Sequence, residues 1–444
     1  MSTARLILVT LICLSPVILL RDGLIMQGLV AGIVAVDLVI TARTLRPGEV
    51  GFLVSVIRPL AVVAAVPVVW VLVQVLPLRP LAHPIWNSAE TALGHPVAGA
   101  ISVDPGASVI ALGHYLSLIG VAFLSAAVAV DRQRAEWILF ALTAAVTAIA
   151  LITLTYDLFL PGAWVATFPR AQAIDSVGMG IIIASAACIR TIERYESRRS
   201  SPQRSVLILL WTFIVCSAAL AICSVAVMLG ATREELIATG CGILALTCVL
   251  IIRRFPLRLF GTTAIVASAL AAAILMFASR PEEHGTSAPL AFAGASSASL
   301  IDLSERVLGD APLVGTGAGT FAALAPMYRE IDHPPPNSLA ATAAAAFAIE
   351  LGKPMFWLIA AATAAFIVIL LRASLYRGRD SFYPAMGGGC LITLLLLSFS
   401  NSGLFGTATS LIAAAGIGLG VAQSKSRTAK QQAYPKGQQT MAKR

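Results

Sequence analysis

The chain is 444 residues long, 58% hydrophobic and only 12% charged, where a soluble domain carries about 25% charged residues. That composition excludes a string of soluble domains and implies a polytopic, all-α integral membrane protein. The formal net charge of +9 would suggest nucleic acid in a soluble protein; here it reads as basic residues kept on the cytoplasmic side of a membrane, with no nucleic-acid partner.

A helix needs about 20 mainly apolar residues to cross the hydrocarbon layer. In chain order the qualifying segments are 6–20, 24–42, 56–77, 108–130, 137–160, 174–191, 206–229, 236–252, 259–278, 355–371, 383–400 and 404–422, about twelve spans. The first is short and follows Arg5, but no small-x-small cleavage site precedes Arg21-Asp22-Gly23, which reads as a tight hairpin. It is therefore expected to stay as a helix. Arg58 falls near the inner end of the third span, within snorkelling reach of the interface. The chain divides into a bundle of about nine spans (1–278), a large loop (279–354), three further spans (355–422) and a basic, disordered tail (423–444).

Orientation follows from the distribution of Lys and Arg. With the N-terminus inside and the loops alternating, the inner segments take Arg43 and Arg46, Arg132 and Arg134, the Arg190–Arg204 group, Arg253 to Arg258, Arg372 to Arg379, and the tail. The outer segments take far fewer: Arg21, Arg79, Arg170, Arg233, Arg280, Arg306, Arg329 and Lys353. Both termini are then cytoplasmic, and the longer connections 78–107, 161–173 and 279–354 are extracytoplasmic. The last is far longer than an ordinary connection, and its alanine-rich stretch from Ser338 to Glu350 suits a helix, so a small, partly helical cap is expected.

The ionisable groups suited to chemistry gather on the same side. His83, His95, His284 and His333 lie in outer loops, and His114 about two turns into a helix. The seven cysteines (Cys13, Cys188, Cys216, Cys223, Cys241, Cys248 and Cys390) all fall in apolar stretches without CxxC, and read as small buried hydrophobes. Glu330-x-Asp332-His333 offers oxygen and nitrogen ligands, but between Arg329 and a proline run it reads as a solvated turn, with no metal.

One stretch of the large loop stands out, Asp310 to Asn337, with Gly315, Gly317 and Gly319 in five residues. A nucleotide loop would need a preceding strand and usually a GK[ST] sequence, and neither is present. The glycines, with Asn337 downstream, then shape a turn. Backbone N–H groups near a helix start there are also able to hold a different phosphate.

Arg306, Asp310-x-Pro312-Leu313-x-Gly315-x-Gly317-x-Gly319-Thr320-Phe321, Tyr328, Asn337 and Glu350-x-Gly352 resemble the O-antigen ligase and polymerase superfamily. Its members are membrane glycosyltransferases of the bacterial cell envelope. Ala166-Thr167-Phe168-Pro169-Arg170 is similar to the family's other arginine motif, and 83–105 resembles members from exopolysaccharide polymerisation systems. Two departures are evident: Pro336 stands where the family has histidine before Asn337, and the Arg170 motif lacks asparagines and runs on to Asp175.

The resemblance implies a cofactor-free, metal-independent polymerase in the bacterial inner membrane. Its donor would be an oligosaccharide repeat unit on polyprenyl pyrophosphate, and its product an exopolysaccharide or O-antigen chain. Further partners would be the bilayer and other polysaccharide export or chain-length proteins. Arg170, Arg306 and Arg329 would bind the pyrophosphate, because guanidinium matches its oxygens in a bidentate way and never loses its charge. His333 would be the general base, backed by Glu350 or Asp332. A ligase moving finished glycan to lipid A core or another acceptor, and a transporter or flippase without catalysis, are the alternatives.

Overall fold

The computed structural model describes residues 2–45, 47–159, 168–197, 203–254, 287–294, 296–328, 339–377 and 380–425. Among these residues the fold is all-α, without a strand. Nine helices are long and apolar enough to cross a membrane, and two shorter apolar ones accompany them. The first span is a broken pair, α1 (Ser2–Cys13) and α2 (Ser15–Leu20), with Pro16 at the start of the second piece. Then come α3 (Leu24–Thr44), α4 (Pro47–Val75), the short surface helix α5 (Ile85–Leu93), α6 (Pro105–Val128), α7 (Arg132–Phe159), α8 (Arg170–Ser197), α9 (Gln203–Gly230) and α10 (Arg233–Arg254). The span expected at 259–278 lies outside the described residues.

Most of the spans begin a few residues before the apolar windows of the sequence, whereas those expected at 383–400 and 404–422 are shorter than their windows. Helices continue into their polar ends wherever caps allow it: Asp104, for instance, accepts the Ala107 N–H (3.0 Å) and starts α6. Among its described residues the large loop contributes three α-helices, α11 (Ala298–Asp310), α12 (Phe321–Tyr328) and α13 (Ala343–Glu350). The expected alanine-rich helix is thus α13, started at Thr342, whose hydroxyl accepts the Ala345 N–H (3.0 Å). These three bury Leu303, Val307, Phe321, Ala345 and Ile349 in a core of their own. The chain then enters α14 (Lys353–Tyr376), α15 (Phe382–Leu397) and α16 (Thr407–Ala422).

The bundle is centred on α8, α15 and α16. α8 packs on α7, α9, α10, α15 and α16, and α15 buries most of its length. Sixteen residues give a helix of about 24 Å, short of the roughly 30 Å hydrocarbon thickness. Such a helix suits the middle of a bundle, where neighbours rather than lipid surround it. α15 meets α16 at Gly387 and Gly420, where a Cβ on Gly387 would stand 3.2 Å from the Gly420 Cα. Small residues permit that approach, the usual basis of helix packing in an apolar solvent.

The two ends of the bundle differ in chemistry. One is basic: Arg190 and Arg194 both bind Glu136, and Arg132 reaches the Asp380 carboxylate (2.7 Å). Arg190 and Glu136 are about nine-tenths buried (6% and 7% exposed), so each charge depends on the opposite charges beside it, which for Arg190 include Asp380 (3.8 Å). Arg377 closes the same end by donating to Gln423 (2.7 Å). The opposite end carries the connections 76–104, 230–233 and 398–406 and the helices α11 to α13. There Asp22, in the turn before α3, accepts the Thr407 N–H (3.0 Å) and its hydroxyl at the start of α16.

Candidate functional site

α11 leads straight into the glycine-rich segment. Its apolar residues Leu300, Ile301, Leu303, Val307 and Leu308 are buried, while Arg306 lies on the exposed side. The chain then turns back on itself through Gly315, Gly317 and Gly319, at φ of 82°, 108° and 74°. L-residues with a Cβ rarely adopt such angles, so glycine is required here for conformation.

The turn is pinned to the end of α13. The Thr316 N–H donates to the Ile349 carbonyl (3.0 Å) and the Gly317 N–H to the Glu350 carbonyl (2.9 Å). The Glu350 side chain completes the join. Its Oε2 accepts the Gly319 N–H (2.8 Å) and its Oε1 the Phe321 N–H (3.1 Å). A carboxylate therefore sits at the N-terminus of α12, where unpaired backbone N–H groups and the helix dipole favour an anion. The cradle that a phosphate would use is filled by the chain's own Glu350. Burial pushes this carboxyl up to about 7 from its ordinary 4.5, against the opposing pull of the two N–H donors.

Two membrane helices hold the turn from behind. Gln74, fully buried near the end of α4, donates to the carbonyls of Glu350 (2.8 Å) and Val314 (3.1 Å). One turn earlier, the Trp70 indole donates to the Leu351 carbonyl (2.8 Å). From α6, the Ser108 hydroxyl donates to the Ala318 carbonyl (2.9 Å), and the Val103 N–H donates to the Thr316 carbonyl (2.8 Å). Sequence reasoning passed over Trp70, Gln74 and Ser108, whereas Val103 falls in the singled-out stretch 83–105. The only signal was a glutamine and a tryptophan at the polar end of an otherwise apolar span.

The other expected site residues are scattered. Arg170 is the first residue of α8 and half exposed. It lies 3.6 Å from the Asp157 carboxylate at the end of α7, and 3.5 Å from the Gly230 carbonyl, to which it donates. Phe168 beside it stacks on Tyr156 at 4.4 Å. Arg329, His333, Asn337, Glu330, Asp332 and Pro336 lie outside the described residues. The structure thus joins the glycine turn to Glu350, with Arg306 about one turn before the end of α11, while Arg170 is engaged by the ends of α7 and α9. His83 caps the start of α5, its Nδ1 accepting the Ile85 N–H (3.3 Å), and burial lowers its pKa.

A second constellation lies at the same end, deeper in the bundle. Asn401, between α15 and α16, donates to Asp175 Oδ1 of α8 (2.9 Å) and to Glu235 Oε1 of α10 (2.7 Å). Its own carbonyl oxygen accepts the Gly403 N–H (2.8 Å). All three side chains are buried, and the second oxygen of Asp175 has no hydrogen-bond partner. Glu235 Oε2 caps α10 by accepting the Thr232 N–H (2.8 Å). The Arg170 motif therefore runs on, through Asp175, into a buried polar junction of α8, α10 and the connection between α15 and α16. Among the described residues, no group of three or more His, Cys, Asp or Glu side chains has the spacing of a metal site.

No protein-family model matches the chain, and no curated protein matches it.

Proposed function

We propose that the chain is a membrane glycosyltransferase that polymerises polyprenyl-pyrophosphate-linked repeat units into an exopolysaccharide or O-antigen chain at the outer face of the bacterial inner membrane. The loop-rich end is then extracytoplasmic and the basic end cytoplasmic, in keeping with the positive-inside bias. The observation that carries the reading is the join between Asp310–Phe321 and Glu350-x-Gly352. Two stretches that resemble family motifs, separated in the chain, form one hydrogen-bonded unit beside the arginine-bearing face of α11.

The chemistry asks for an acceptor hydroxyl oxygen to attack the anomeric carbon of the donor while that carbon's bond to the pyrophosphate oxygen breaks. Polyprenyl pyrophosphate departs as the anion, and the hydroxyl proton passes to a base. Arg306 and Arg170 are the described cations suited to the departing charge, with Arg329 as a third. Both Glu350 oxygens already accept backbone N–H groups, so Glu350 is a positioning residue that fixes the turn, and the base role falls to His333. The test is the surface polysaccharide of a deletion strain complemented with wild type or with an Arg306→Ala/Arg170→Ala variant. Loss of long polymer, with the variant inserted normally, is expected. Full-length polymer from the variant sinks the proposal. Accumulated full-length polymer still on its lipid carrier in the deletion strain assigns the ligase activity instead.

One observation favours a second reading, transport. Buried carboxylates inside a membrane bundle often mark ion pathways, and Asp175 and Glu235 are two such groups on neighbouring helices. Proteoliposomes with a polyprenyl-linked oligosaccharide separate the two: translocation without a new glycosidic bond selects transport.

A further inference from the structure

Around Asn401, where α8, α10 and the connection between α15 and α16 meet, donors and acceptors do not balance. Asn401 itself is fully used: its amide donates to Asp175 and Glu235, and its oxygen accepts the Gly403 N–H. Glu235 is accounted for as well. It is the third residue of α10, its other oxygen accepts the Thr232 N–H (2.8 Å), and the start of a helix favours an anion. Asp175 has no such support. It lies in the second turn of α8 and is fully buried, and its Oδ2 has no hydrogen-bond partner. Among the described residues no arginine, lysine or histidine pairs with it. Arg170, earlier on the same helix, is turned to Asp157 (3.6 Å).

Other oxygens gather beside Asp175. Gln172 stands about one turn earlier on the same face of α8, and its Oε1 is likewise enclosed and without a partner. Both side chains lie against the short turn Gly403–Phe405 and the glycine after it. A Cβ on Gly403 would overlap Asp175 Oδ2 and stand 2.8 Å from the Ala171 carbonyl oxygen, and a Cβ on Gly406 would overlap Gln172 Oε1. The hydroxyls of Ser400, next to Asn401, and of Thr232, whose N–H meets Glu235, are also enclosed without partners. A carboxylate oxygen and an amide oxygen can only accept, so neither satisfies the other. A cation satisfies both at once.

We infer that this junction binds one sodium ion, with Asp175 Oδ2 supplying the charge and the neighbouring amide, carbonyl and hydroxyl oxygens the remaining ligands. An all-oxygen set selects a hard cation. Calcium collects 6–8 oxygens and favours several carboxylates; here a single carboxylate charge is uncommitted, which matches a monovalent ion. The enclosure suits a bare ion that has shed its water, and the close approach of the Gly403–Gly406 backbone favours sodium over the larger potassium. A carboxylate within a membrane bundle is costly unless paired, and the ion supplies the pair. It takes no part in sugar transfer, so the site goes beyond the glycosyltransferase reading. Nor does it need to cross the membrane: held in place, it ties the start of α8, which carries Arg170, to α10 and to the start of α16.

The test uses radioactive sodium on the purified full-length protein in detergent, read by scintillation proximity, with melting temperatures in sodium or choline chloride alongside. Wild type is expected to bind sodium saturably, one ion per chain, to release it to unlabelled sodium at about tenfold lower concentration than to potassium, and to melt higher in sodium than in choline. Asp175→Asn keeps the shape of the side chain and should abolish both effects. Ser400→Ala, a milder change for a protein that must still fold, should weaken binding severalfold. The assignment is overturned by no saturable binding to wild type, by binding that survives Asp175→Asn, by a melting temperature that follows pH but not sodium, or by calcium displacing the label at lower concentration than sodium does. Full-length polymer from the Arg306→Ala/Arg170→Ala variant would sink the glycosyltransferase reading and leave the sodium site standing.

Discussion

Replacing Glu350 with glutamine removes a charge and keeps the shape, and its consequence depends on pH. The carboxylate accepts two backbone N–H groups, from Gly319 and Phe321. A glutamine amide accepts one and turns its own NH₂ toward the other, which leaves a buried donor unmet at a cost of about 1–3 kcal/mol. Against that stands the cost of keeping a carboxylate buried. Glu350 is pushed up to about 7 from 4.5, so the folded state holds a proton that the unfolded chain has released. Wild-type stability is therefore full below about 4.5, declines as pH rises toward 7, and is flat above it, a loss of roughly 3 kcal/mol. Glutamine does not titrate. At pH 5 the folded wild type is itself protonated and, like glutamine, has one donor and one plain acceptor, so Glu350→Gln should lie within about 1 kcal/mol of it; at pH 8 the wild type alone has lost the roughly 3 kcal/mol of charge burial, and the glutamine protein should be the more stable. Unfolding of both proteins in detergent, followed by helical signal across pH 4.5–8.5, reads this directly. Parallel pH profiles for the two proteins would refute the placement of Glu350 as the buried anion of the turn. Unchanged stability with abolished polymer formation would instead make it a catalytic group.

Three more outcomes follow from the packing. At Gly317 (φ 108°) a Cβ would stand 2.8 Å from the Ser102 Cα, so Gly317→Ala combines strain and overlap for roughly 2–6 kcal/mol. Gly309→Ala, in open space within α11, should be neutral or gain about 0.5–1 kcal/mol, a contrast that thermal melts will show. Asn401→Ala leaves Asp175, Glu235 and the Gly403 N–H without their shared partner and should cost several kcal/mol. Adding Asp175→Asn should recover part of that loss in a double-mutant cycle. At the basic end, Glu136→Gln leaves buried Arg190 with only its longer pairs to Asp380 (3.8 Å) and Glu193 (4.0 Å) and should cost about 2–4 kcal/mol. Arg134→Ala breaks only an exposed pair with Asp131 (3.5 Å) and should change stability by under about 1 kcal/mol.

Much of the architecture was legible from the residues. Apolar runs of the required length, punctuated by arginines, located nine helices long and apolar enough to cross a membrane and two shorter apolar ones among the described residues, because a bilayer imposes one length scale on every helix that crosses it. The α13 helix was legible for a similar local reason: alanine favours helix, and Thr342 starts it. Less visible was the length of α15, an apolar run that ends early because Asn401 must reach two carboxylates on α8 and α10. No periodicity encodes that demand.

The glycine segment marks the same boundary. Its composition alone determined that the chain turns there, since only glycine accepts three positive φ values so closely spaced. The missing GK[ST] sequence argued against a nucleotide loop. What fills the turn was decided by tertiary structure: a glutamate about 30 residues on, held by a glutamine and a tryptophan some 240–280 residues back. Local sequence sets backbone conformation because sterics act between neighbours. The partner of a buried N–H is whatever group folding brings within about 3 Å, and in this chain folding delivered the Glu350 carboxyl to the N–H groups of Gly319 and Phe321.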